Sequence, residues 1–93
     1  MTQLKPFEAS KYLTDEETIF EFLTAALEDQ NPDVFLRALN EAAKAHGMSQ
    51  LARDTGMGRE SLYKALAPGA KPRYDTVLKV LSALGVKLVA HRP

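Results

Sequence analysis

Cysteine is absent from this 93-residue chain, and histidine occurs only at positions 46 and 91. Without cysteine there is no disulfide and no thiolate metal site, an absence that fits the reducing cytoplasm, where the protein is expected. Neither lone histidine is assigned to chemistry; a helix end or the surface is the ordinary place for each. The longest run without a charge falls far short of a membrane span, and the N-terminus lacks a signal-peptide apolar region, so no membrane partner is expected. Also missing are a Ser-His-Asp or Cys-His set, a phosphate-cradling glycine loop, and carboxylates paired across a cleft. Asp15, Glu16 and Glu17 are consecutive, so on a helix they fan apart rather than converge on a metal. No enzyme activity, cofactor, metal or small-molecule substrate is expected.

The last thing lacking is net charge, which is zero, and here the distribution matters more than the total. Residues 1–41 hold three basic and nine acidic side chains, and residues 42–93 hold nine basic and three acidic ones. Binding to phosphates depends on the local patch. A chain divided this way suits an anionic partner for its second half and a basic one for its first. Its length allows one domain and one core.

Reading along the chain, Pro6 discourages an early helix, while Phe7, Tyr12 and Leu13 are apolar anchors. Thr14-Asp15-Glu16-Glu17 is a capping box, with Thr14 as cap and Glu17 reaching back. A helix then runs to about Asp29, with Ile19, Phe20, Phe22, Leu23, Ala26 and Leu27 as a wide apolar face. Asn31 caps the next helix, and Pro32 fits its first position, where a missing N–H costs nothing. Val34, Phe35, Ala38, Leu39, Ala42 and Ala45 form its buried side, and Gly47 ends it. Pro68 to Pro72 is a loop by composition. Asp75 or a neighbour caps a last helix, with Val77, Leu78, Leu81 and Leu84 stacked on one side and Gly85 as stop. Residues 86–90 are β-prone, and a lone strand there must pair with another, most simply from a second copy.

Between these lies the most informative stretch, residues 48–66, which reads as a helix-turn-helix. Leu51 and Ala52 face inward on a short first helix, and the small Ala52 lets a second helix cross closely. Gly56 can take positive φ at the turn, Met57 plugs the corner, and Leu62, Ala65 and Leu66 hold the second helix to the core. Such a second helix enters a DNA major groove. Its outward residues are Arg59, Glu60, Ser61, Tyr63 and Lys64. Arg59 can bond guanine O6 and N7, Lys64 guanine or phosphate, and Tyr63 a thymine methyl or phosphate. Glu60 suits cytosine N4 or, more plainly, an i,i+4 pair with Lys64. Ser49, Gln50, Lys71 and Arg73 are the candidate phosphate contacts.

These residues resemble the lambda-repressor-like (XRE-type) helix-turn-helix superfamily over about residues 32–85. A fuller resemblance, to the probable addiction-module antidote proteins, spans nearly the whole chain. It is carried by Tyr12-Leu13, Ala25 to Asp29, Phe35 to Leu39, Gly47 to Ala52, Arg59 to Leu66, Thr76 to Leu81 and Leu84-Gly85. Two departures stand out: the first motif helix begins about two residues late, and Thr55 replaces a large apolar residue before the turn glycine. The resemblance implies an all-helical fold, and with the residue pattern the expectation is an all-α, lambda-repressor-like bundle of about five helices, with an extra N-terminal helix and a short C-terminal strand. It implies a homodimer that binds double-stranded operator DNA to autoregulate its operon and neutralises a cognate RelE/ParE-type toxin. By their acidic charge and apolar anchors, residues 1–30 are the expected partner-binding arm and helix, with Phe7, Tyr12, Leu13 and Glu16 on the toxin. Residues 31–93 are the DNA-binding domain, compact with the rest, with Val86, Leu88 and Ala90 joining the dimer. The alternatives are a stand-alone phage-type repressor and an interaction adaptor without DNA binding.

Overall fold

α1 (Glu16–Leu27) starts where Asp15 folds its side chain back on the chain, its Oδ1 accepting the Thr18 N–H at 2.7 Å. The computed structural model describes Leu13 and residues 15–93. The cap therefore falls one residue later than the Thr14 expected from sequence, which lies outside the described residues. Asp15 is the stronger cap because an ionised acceptor also faces the positive end of the helix dipole. The same bond holds the Asp15 carboxyl below its ordinary pKa.

α2 (Pro32–His46) follows with the expected punctuation: the Asn31 side chain accepts from the Asp33 N–H at 3.0 Å, and Pro32 opens the helix. Gly47 stops it at φ 102°, and this residue is also the N-cap of α3 (Met48–Thr55). No spacer separates the two helices. α4 (Arg59–Leu66) and α5 (Tyr74–Ala83) complete the described helices. Among the described residues there is no strand, and no helix is long and apolar enough to cross a membrane.

One core joins all five helices. Leu13, Ile19, Leu23 and Ala26 enter it from the N-terminal side, Leu39 and Ala42 from α2, Leu51 from α3, Leu62 and Leu66 from α4, and Val80 and Leu81 from α5. α1 packs chiefly on α2, whereas α4 packs on α2 and α3, and α5 on α3. Fully burying such aliphatic side chains is worth about 1.5–3 kcal/mol each before ordering costs.

The structure redraws several faces. Phe20 and Leu27, expected within the apolar face of α1, are 51% and 46% exposed. On α5 the buried set is Val77, Val80, Leu81 and Leu84, while Leu78 turns outward. That set has the i, i+3, i+4, i+7 spacing of one helical face, which Leu78 lacks. α5 is preceded by Arg73 with no side-chain cap bond. Asp75 lies inside the first turn, accepting from the Thr76 N–H at 2.9 Å. On α2, Glu41 and Ala43 join the buried side unexpectedly, and Lys44 Nζ lies 3.7 Å from the Glu41 carboxylate.

Residues 86–90 form no strand in the single chain. The N–H groups of Gly85 and Val86 donate to Ser82 and Leu81 at 3.0 and 2.9 Å, closing α5 in a Schellman motif. Val86 and Leu88 pack against the core, while Lys87, Val89 and Ala90 are exposed. The alternation is strand-like, yet no second edge is present to complete a ladder.

Candidate functional site

The α3–α4 corner is built around Gly56, which closes α3 in the left-handed region at φ 73° and donates its N–H to the Ala52 carbonyl at 3.0 Å. A side chain there would strain the backbone. Thr55 completes the turn. Its hydroxyl donates to the Leu51 carbonyl at 2.8 Å and accepts the Met57 N–H at 3.3 Å. The departure at Thr55 thus exchanges apolar packing for a hydrogen-bonded bridge across the turn. Met57 packs against the core as expected.

α4 is anchored through Leu62 at 0% and Leu66 at 4% exposure, with Ala65 half-buried beside them. Arg59, Glu60, Ser61, Tyr63 and Lys64 all stand exposed. Arg59 leans along the helix over Tyr63, its guanidinium carbon 5.8 Å from the ring centroid and one nitrogen 3.4 Å from the hydroxyl. A contact this long and exposed leaves the guanidinium free to reorient toward a ligand. No ion pair joins Glu60 to Lys64, so the plainer reading of Glu60 does not hold and its carboxylate faces solvent. Lys71 is exposed in the loop after α4, and Arg73 pairs with Asp75 at 3.2 Å. Such an exposed pair is worth little and leaves Arg73 with unused donors.

Sequence reasoning missed a polar cluster on the first motif helix. His46 at the end of α2 reaches Asp54 near the end of α3, with Nε2 to Oδ2 at 3.2 Å. Gln50 donates to the other Asp54 oxygen at 2.8 Å, and Arg53 donates to the Gln50 carbonyl oxygen at 2.8 Å. The Gln50 bond, then the His46 bond, hold the Asp54 carboxyl below its ordinary pKa. Gln50, expected as a phosphate contact, therefore has its orientation fixed, and one amide hydrogen is left for a ligand. Ser49 beside it is exposed. The Gln50–Asp54 spacing of four was visible on a helix; the His46 link was not, because it spans two helices.

The residues expected on a protein partner are placed differently. Phe7 and Tyr12 lie outside the described residues. Leu13 is 5% exposed, within the core. Glu16 is exposed, and its carboxylate lies about 3.7 Å from where a Cβ on Gly85 would stand, at the stop of α5. No group of acidic and histidine side chains able to hold a metal occurs among the described residues.

The described residues thus define an all-helical domain with a short helix–turn–helix corner and a solvent-facing second helix. The family model for the probable addiction module antidote protein matches residues 3–92, and the chain belongs to that family. It is similar to an uncharacterized protein of Haemophilus influenzae, 45% identical over 85 residues that cover 91% of this chain and 88% of the relative. No solved structure matches it.

Proposed function

We propose that this antidote-family chain neutralises a RelE/ParE-type toxin in the cytoplasm and represses its own operon. In this reading two copies bind operator DNA through α4, with half-sites about one turn (~34 Å) apart. The observation that carries the DNA reading is the outward face of α4. Glu60 and Lys64 point directly away from the core, with Arg59 and Tyr63 on one shoulder and Ser61 on the other, all exposed. Leu62 and Leu66 hold the helix from behind. A guanidinium near the N-terminus of such a helix is suited to guanine. Ser49, Gln50, Lys71 and Arg73 then take phosphates. Residues 86–90 pair between copies through Val86, Leu88 and Ala90, each supplying the edge that the other lacks.

Operator titrations at several salt concentrations test the site. Arg59→Ala should cost about 1–3 kcal/mol on the specific site and relax discrimination at one base pair. Lys71→Ala should weaken all sequences alike and lower the salt slope by about one. Unchanged base discrimination in the Arg59 variant would remove Arg59 from base readout.

A further inference from the structure

The outside of α1 carries a second pattern beyond the one that packs it. Phe20, 51% exposed, and Leu27, 46% exposed, share one helical face with Glu16 and Thr24. Thr24 already donates its hydroxyl hydrogen to the Phe20 carbonyl at 2.8 Å, so this face is effectively apolar between its ends. Beside it runs a ridge of exposed carboxylates, Glu17, Glu21 and Glu28. Residues 15–36 contain seven acidic side chains and no lysine or arginine. Among the described residues no cation pairs with any of them.

Single exposed apolar side chains are ordinary. An aromatic and a leucine on one face, rimmed by charge of a single sign, instead match the core and rim of a protein interface. We propose that this face of α1 is the docking surface for a basic partner protein, with Phe20 and Leu27 as anchors and Glu17, Glu21 and Glu28 meeting lysine or arginine. The inference rests on the antitoxin reading and names the toxin's contact surface within it. Charge decides the occupant. Nucleic acid and anionic lipid would be repelled, and a two-fold contact with a second copy would set these carboxylates against one another. None of the residues assigned to DNA belongs to α1, so the two surfaces do not compete for side chains.

The probe is the purified product of the reading frame adjacent to this chain's gene, titrated calorimetrically against the full-length protein. Two variants are compared with it, the pair Phe20→Ala/Leu27→Ala and the triple Glu17→Lys/Glu21→Lys/Glu28→Lys, both checked for helical content by circular dichroism. Each should bind at least about tenfold more weakly, and the triple variant should also lose the salt dependence of binding. If the unaltered chain binds and both variants match it, the α1 surface is wrong while the antitoxin reading stands. If the unaltered chain does not bind the probe, the antitoxin reading fails and this surface with it. If Phe20→Ala/Leu27→Ala converts a dimer to a monomer in light scattering, the face is a self-contact and the proposal is overturned.

Discussion

α1 and α4 are built alike and differ in the charge they present. Each buries a leucine completely, Leu23 in α1 and Leu62 in α4. Each also leaves an aromatic half in solvent, Phe20 and Tyr63. What differs is the surrounding charge. The exposed side of α1 holds carboxylates with no cation, whereas that of α4 mixes Arg59 and Lys64 with one acid. Packing thus places both helices by the same rule, and the residues free of packing decide what each can meet. A chain of no net charge can in this way present one surface to a basic protein and another to a polyanion.

The largest effect that could break this comparison lies in the core. Leu23→Ala and Leu62→Ala should each cost about 2–5 kcal/mol in urea denaturation, because both remove a fully buried leucine. If Leu23→Ala costs less than about 1 kcal/mol, α1 is an appendage rather than a structural equal of α4, since such a value falls below the range for core truncation.

Next in size is the turn that aims α4. Gly56→Ala forces a Cβ into the left-handed region and should cost about 1–2 kcal/mol in thermal or chemical unfolding. Operator affinity should fall by more than stability alone explains if the turn sets the angle of α4. Equal operator affinity in the folded variant would mean that the corner tolerates re-aiming.

The boundaries of α2 were fully legible because Asn31, Pro32 and Gly47 act through their own backbone chemistry, whatever surrounds them. The turn at Gly56 and the inward set Leu51, Leu62 and Leu66 were legible for the same reason and by spacing. What failed depended on neighbours. An apolar stripe shows its centre but not its rim, so the pattern includes Phe20, Leu27 and Leu78, which face out. The His46–Asp54 contact follows neither helical nor strand spacing, since it arises only when Gly47 folds α3 back beside the end of α2. Strand preference at residues 86–90 requires an edge to pair with, and the single chain provides none.

The smallest effect is a dependence on acid. Two carboxyls, Asp54 in the corner and Asp15 at the start of α1, titrate below their unfolded values. A lowered folded pKa contributes stability above the unfolded pKa of about 3.9 and loses it as pH falls through the folded value. Unfolding followed between neutral pH and about pH 2 should therefore steepen below pH 4. Asp54→Asn should flatten that limb and Asp15→Asn should do the same, both weakly because each carboxyl is exposed. A limb unchanged in both variants would assign acid sensitivity to other groups. Because Asp54 also fixes Gln50, its variant alone should change operator affinity, which distinguishes the two carboxyls.

Gly47, finally, is a joint with two torsions and a lever attached to it. α3 is eight residues long, so its far end lies about 12 Å from the joint, and a swing of about 10° there would carry the corner by about 2 Å. Under the proposed DNA reading, a displacement of that size would move Arg59 out of reach of a base edge. The hydrogen bond from His46 at the end of α2 to Asp54 near the far end of α3 is a brace across that joint, added to the core packing of Met48 and Leu51.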